Sequence, residues 1–294
     1  YSITKSLLIS IIEYNGDSLR RTFMAIIVED KACSRCGVCA DICPMGIIQP
    51  PLDGTTPFVA DSQAGWCVSC GQCSAFCPSG ALTLEKDDGF TPEPAWNGND
   101  LSPELMVSYL KSRRSIRNFK SESVSRETIE ALLDVARYAA SGGNGQPVQW
   151  LVIHDPEKVQ RVAKAVIDWM RTLVGSNHPL SKYVPLLIAG WENGVDPICR
   201  NAPHLLIPHI PEEIPIAHVD GIIALTHVDI AAPAFGVGTC WGGFVALASQ
   251  ESSEIREIYD LPVGRKPLYA MMFGYPKYRS ASIPTRNKAV ITWQ

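Results

Sequence analysis

The 294-residue chain lacks any run of eighteen apolar residues, which excludes a transmembrane helix of ordinary length. It lacks a one-signed charge: 26 Lys and Arg face 30 Asp and Glu, for a net charge of −4, which gives no support for a nucleic-acid surface. It lacks a convincing export leader, because the apolar stretch Leu7–Ile12 ends at Glu13 with no small-residue cleavage site after it. Its six histidines show no metal-ligand spacing. Cysteine is scarce outside one short region, with only Cys199 and Cys240 lying beyond residue 77. Apolar residues are not scarce: at 46% they suffice for a full-sized core beside a smaller module.

The other eight cysteines form one pattern written twice. Cys33, Cys36, Cys39 and Cys43 read C-x-x-C-x-x-C-x-x-x-C-P, closed by Pro44, and Cys67, Cys70, Cys73 and Cys77 repeat it, closed by Pro78. This is the spacing of a two-cluster 4Fe–4S ferredoxin, in which the fourth cysteine of each run ligates the other cluster. Cys33, Cys36, Cys39 and Cys77 are therefore assigned to one cluster, and Cys67, Cys70, Cys73 and Cys43 to the other. Gly37 and Gly71 follow the second cysteine of each run and permit the tight turn there. Zinc ribbons use cysteine pairs separated by longer gaps, and disulfides need an oxidising compartment. The pattern marks the chain as an electron carrier.

Apolar β-prone runs bracket the motifs, Ala25–Val28 before and Ala81–Leu84 after, and are expected to close a small sheet. Residues 44–66 read as a loop with a hairpin at Asp53–Gly54. Met24 reads as a natural start, which makes residues 1–23 an extension of unassigned role. Residues 24–88 then form a ferredoxin-like domain, residues 89–100 a linker within a Pro/Gly/Asp-rich stretch, and residues 101–294 a second domain.

In the second domain, Ser102-Pro103-Glu104 is a helix start, and another helix begins near Ser125, with Ile129, Leu132, Leu133, Ala136 and Ala140 at helical spacing. Trp150–Ile153 reads as a strand, and Asp155-Pro156-Glu157 caps a helix through Met170. A buried helix is expected over 217–234, and core strands over Thr239–Val245 and Leu268–Phe273. Helices and strands mix without a regular βαβ repeat, so the fold class is α+β: a small two-cluster ferredoxin-like domain followed by a larger α+β domain.

Four segments of this domain carry chemistry. Ser112–Phe119 holds Arg113, Arg114 and Arg117, which read either as a solvated surface or as forked donors to a phosphate. Ala140–Pro147 is either an ordinary glycine-rich loop or a close backbone approach to a planar ligand, with Asn144 and Gln146 giving directional hydrogen bonds. Gly236–Phe244 does not follow a strand and lacks the glycine order of a dinucleotide loop. Ile283–Arg286 adds one more cation. Cys240 reads as a small core residue and His204 as a structural histidine.

The stretches RRSIRNF, SGGNGQP, FGVGTCWGGF, FGYP and PTR, in that order, resemble the nitroreductase-like flavoprotein family over roughly residues 103–294. The resemblance implies an α+β nitroreductase-like domain binding FMN. It places Arg113, Arg114, Ser115 and Arg117 at the phosphate and ribityl chain, and Ser141, Gly142, Asn144 and Gln146 along the flavin. Gly242 and Gly243 would lie against the ring, with Cys240 and Trp241 adjacent, and Arg286 would reach the phosphate. Many members carry a lysine two residues before that arginine; here the position is Pro284. The resemblance also implies an intertwined homodimer.

The whole chain reads as a ferredoxin–nitroreductase fusion with FMN and two 4Fe–4S clusters as cofactors. The expected activity passes electrons from the clusters to FMN and then to an electron-poor small molecule: a nitroaromatic, quinone or activated alkene. The external donor is expected to be ferredoxin or NAD(P)H, and no catalytic side chain is named. The alternative is an adaptor that delivers electrons to a protein partner without small-molecule turnover. Residues 171–216 are expected to cover the flavin. Oxygen-sensitive clusters and the missing leader favour a cytoplasmic setting, with neither nucleic acid nor membrane as a partner.

Overall fold

A computed structural model describes residues 26–52, 54–84, 93–96, 98 and 100–294. The expected extension 1–23, much of the expected linker and Asp53 of the expected hairpin lie outside the described residues. Two compact units emerge: the described residues before Gly98 together with Gly142–Gly145, and Gly98–Ser141 together with Gln146–Gln294.

In the first unit, β1 (Ile26–Val28) pairs antiparallel with β4 (Leu82–Leu84), Ile26 opposite Leu84 and Val28 opposite Leu82. Between them, β2 (Ile48–Gln49) and β3 (Phe58–Val59) form a second antiparallel pair inside the stretch expected to be a loop. Three one-turn helices complete the unit: α1 (Val38–Asp41), α2 (Asp61–Ala64) and α3 (Gln72–Ala75). The two cysteine runs repeat in backbone as well as in sequence. Gly37 and Gly71 cap α1 and α3 at φ 77° and 76°, left-handed values that cost a side-chain-bearing residue about 1–2 kcal/mol. Cys39, Cys73, Ile47, Ile48 and Leu82 form the core, so the third cysteine of each run is buried.

The second unit is built on a five-stranded antiparallel sheet. Its strands are β5 (Gln149–Ile153), β6 (His204–Pro211), β7 (Gly238–Trp241), β8 (Arg265–Pro267) and β9 (Met271–Gly274), in the order β5-β6-β9-β7, with β8 also paired to β6. Strand β6 is buried along almost its whole length and alternates its side chains between two cores. Leu205 and Ile207 pack under α6 (Pro156–Thr172), α9 (Gly243–Glu251) and α10 (Ser253–Tyr259). Leu206 packs on the opposite face under α5 (Arg126–Ala136) and α8 (Ala217–Ala231). A strand buried on both faces reads as a continuous apolar run rather than an alternation. Residues 171–216 contain the central strand and the helix α7 (Val184–Glu192).

The helix starts follow their capping residues. Helix α4 (Pro103–Ser112) is capped by Ser102, which accepts from the Leu105 N–H; Ser125 caps α5 through the Thr128 N–H, and Asp155 caps α6 through the Glu157 N–H. Each cap is worth about 1 kcal/mol. Helix α5 stops at Ala136, short of Ala140. Helix α6 buries Val159, Val162, Ala163, Val166, Ile167 and Met170 on one face, where Met170→Ala would cost about 2–5 kcal/mol. Among the described residues no helix is long and apolar enough to cross a membrane.

Candidate functional site

The eight cysteines of the first unit fall into two sets of four. One cavity of about 440 Å³ is lined by Cys43, Cys67, Cys70 and Cys73. A tighter one, about 20 Å³, is lined by Cys33, Cys36, Cys39 and Cys77. Each set takes three cysteines from one run and the last from the other. Charge coupling follows the same division, with Cys77 acting on Cys36 and Cys43 on Cys73. Among the described residues no three Cys, His, Asp or Glu side chains converge on one ion. Four thiols spread around a cavity suit the corners of a cluster better than a single metal. Burial pushes the Cys73 thiol up to about 11, while a hydrogen bond from the Val38 backbone lowers that of Cys36.

In the second unit, Arg113 closes the C-terminus of α4. Its Nη1 is buried and makes no hydrogen bond among the described residues, although it lies 3.4 Å from Asp229 Oδ2. Arg114 turns back on the same helix end and donates to the Ser112 and Lys111 carbonyls. Ser115 bridges Thr239 on β7, and the Ile116 N–H donates to the Thr239 carbonyl at 2.8 Å. This contact is close: a Cβ on Gly238 would meet the Ile116 side chain at 2.6 Å. Arg117 is exposed, and its charge reaches Cys240.

Asp229, on α8, was not singled out from sequence. It is 5% exposed, and it accepts from Thr239 Oγ1 at 2.5 Å and from Trp241 Nε1 at 3.0 Å. Thr239 and Trp241 stand two residues apart on β7, so they share a face of the strand. One buried carboxylate thus gathers Arg113, Thr239 and Trp241. The signal was present, since a buried acid in an apolar helix is rare without partners.

Strand β7 stops at Trp241, short of the Val245 expected, because Gly242 (φ −91°, ψ 64°) leaves the extended region and α9 starts at Gly243. Gly242 packs so closely on Ala270 that a Cβ there would approach it to 3.3 Å. Cys240 is buried, and burial raises its thiol against the pull of Arg117, Arg200 and Arg113. Cys199 is fully buried and its thiol is raised further. Neither has the depressed thiol of a nucleophilic cysteine.

Gly142–Gly145 fold with the first unit. Asn144 Nδ2 donates to the carbonyls of Val68 at 3.2 Å and Ser69 at 3.1 Å, in the turn between Cys67 and Cys70. Gly143, Asn144 and Gln146 all take left-handed backbone angles, and Ser141 Oγ accepts from the Gln146 N–H. Arg286 is exposed and, among the described residues, bonds only its neighbour, the Thr285 carbonyl. His204 is fully buried. Its Nδ1–H donates to the His154 carbonyl, its Nε2 accepts from the Val124 N–H, and its ring stacks on His154 at 4.3 Å. Both nitrogens are committed to structure.

The largest cavity described in the second unit, about 800 Å³, is lined by Arg113 and Arg114 but not by Ser115, Arg117 or Arg286. A family model described as "Nitroreductase family" matches residues 110–275, which include Arg113, Arg114 and the whole sheet. A second, "4Fe-4S dicluster domain", matches residues 32–82. The chain belongs to the nitroreductase family and carries a 4Fe–4S domain ahead of the family's own fold. Among curated proteins it is 26% identical over 192 residues to an FMN reductase [NAD(P)H] of Bacillus subtilis, covering 64% of this chain and 73% of that one. It is 27% identical over 189 residues to a Cr(VI) reductase of a Pseudomonas species, with the same coverage. A solved nitroreductase with bound FMN from Desulfitobacterium hafniense shares the fold, with a TM-score of 0.53 and 21% identity over 64% of this chain and 98% of that one.

Proposed function

We propose that this chain is a flavin-dependent oxidoreductase that carries electrons from two 4Fe–4S clusters to FMN and on to an electron-poor small molecule such as a nitroaromatic, quinone or activated alkene. The observation that carries the reading is the division of eight cysteines into two sets of four, each lining its own cavity. When bound, the clusters supply one-electron transfer and the flavin gathers two electrons for delivery as a hydride equivalent.

The chain's own residues hold and orient these groups. Cys33, Cys36, Cys39 and Cys77 would hold one cluster; Cys43, Cys67, Cys70 and Cys73 would hold the other. Loading must strip the thiol protons, that of buried Cys73 being held most tightly. Arg113 fits the phosphate of FMN because it keeps a buried donor without a hydrogen-bond partner. Gly242 and Gly243 leave the backbone bare where the flavin ring is expected, and Asp229 fixes the edge of Trp241 beside them. Asn144 holds the carbonyls between Cys67 and Cys70 and so steadies the turn of that cysteine run. His204, Cys199 and Cys240 are committed to the core and are not assigned a proton-transfer role. Val290, Ile291 and Trp293 are large, apolar and exposed, which supports a homodimer that covers them.

The reading is tested by steady-state reduction of a nitroaromatic under anaerobic conditions, with reduced ferredoxin as donor. The holoprotein should turn over, and a Cys43→Ser/Cys77→Ser variant that still binds FMN should not. Equal rates would remove the clusters from the path.

A further inference from the structure

We propose that Lys120 and Arg279 complete the phosphate end of the flavin site and take the place of the lysine missing at Pro284. The proposal rests on the FMN reading above and names which further side chains hold the ligand.

Four cations line the 800 Å³ cavity: Arg113, Arg114, Lys120 and Arg279. No Asp or Glu lines it. The acid nearest Arg113 is Asp229, whose two oxygens are already taken by Thr239 and Trp241. Neither Lys120 nor Arg279 has an ion pair among the described residues. A concave surface with several uncompensated cations attracts an anion and binds it more strongly than any one of them alone.

Backbone pairing brings the two new cations to this place. The Lys120 N–H donates to the Tyr275 carbonyl at 2.9 Å, and the Lys277 N–H donates to the Asn118 carbonyl at 3.0 Å. Phe119 and Pro276 bridge between them. The chain leaving the arginine segment therefore runs antiparallel to the chain leaving β9, and both return to the mouth of the cavity. Arg114 spends two of its donors on its own helix end, and Arg286 does not line the cavity. A phosphate monoester carries a charge of about −1.5 to −2 at neutral pH, more than Arg113 alone can neutralise. Lys120 and Arg279 supply the remainder from exposed positions, so their removal leaves the core intact.

The test is the affinity of the full-length protein for FMN and for riboflavin, which lacks the phosphate. Lys120→Gln, Arg279→Gln and the double variant should each bind FMN more weakly and with less salt dependence, with riboflavin affinity unchanged. Arg279→Lys should recover part of the loss, and Lys182→Gln should change nothing. If the wild type prefers FMN over riboflavin and the double variant does so equally, the proposal fails while the flavin reading stands. A loss shared equally by FMN and riboflavin also overturns it. If the wild type binds neither flavin, the underlying reading falls and takes the proposal with it.

Discussion

The indole Nε1 of Trp241 donates to Oδ2 of Asp229 at 3.0 Å, and through that one bond a strand residue expected at the flavin is fixed by a buried acid on a helix. The same carboxylate accepts from Thr239 and lies beside Arg113. Asp229→Ala would leave a hydroxyl and an indole N–H without their acceptor and Arg113 without its counter-charge. Breaking a buried charged pair costs about 3–5 kcal/mol, so Asp229→Ala should fall in that range by urea denaturation. Trp241→Phe removes only one donor and should cost less. Equal costs would mean that the carboxylate adds nothing beyond the indole bond.

The crossed cysteine sets predict an unusual pattern of metal loss. Cys77→Ser sits in the second run but should disturb the cluster proposed at Cys33, Cys36 and Cys39. Cys43→Ser sits in the first run but should disturb the cluster proposed at Cys67, Cys70 and Cys73. Iron content and the electron paramagnetic resonance of the reduced protein report which cluster survives, with Cys36→Ser and Cys70→Ser as the uncrossed references. Each fourth-cysteine variant should match the reference of the opposite run.

Two buried histidines predict acid sensitivity. Burial, helped by the charge of His154, lowers His204 to about 4; burial, helped by Arg265, lowers His209 to about 4. The cause is visible in the bonds: His204 Nε2 accepts from the Val124 N–H, and His209 Nδ1 accepts from Arg265 Nε at 2.7 Å, so a proton on either atom breaks a bond. The unfolded chain binds these protons near pH 6.5 and the folded chain only near pH 4. Stability is therefore fully present above pH 6.5 and declines as pH falls toward 4, by on the order of 3 kcal/mol for each histidine. Denaturation across that range should show the slope, and His204→Asn should remove its share while leaving that of His209.

Much of the organisation was legible because it rests on covalent spacing and local chemistry. The two cysteine runs are legible from their intervals, and Ser102, Ser125 and Asp155 announce their helices through bonds to residues two or three places on. Strand β6 escaped notice because Pro208, Pro211 and two histidines interrupt its apolar run, yet the strand is buried on both faces. The Thr239–Val245 run has strand-like composition throughout, but Gly242 breaks it and a helix takes over. An acid in an apolar helix marks Asp229, but its partners, ten and twelve residues away, are not legible from local pattern. The cations at 120 and 279 meet only through long-range pairing, which no local pattern reports.

Electrons placed on the clusters are proposed to reach the flavin of the same chain. Anaerobic stopped-flow on the holoprotein mixed with reduced ferredoxin tests this directly. The broad iron–sulfur absorption should bleach first and the flavin band should follow at a rate independent of protein concentration. Clusters that stay reduced beside an oxidised flavin would contradict the account.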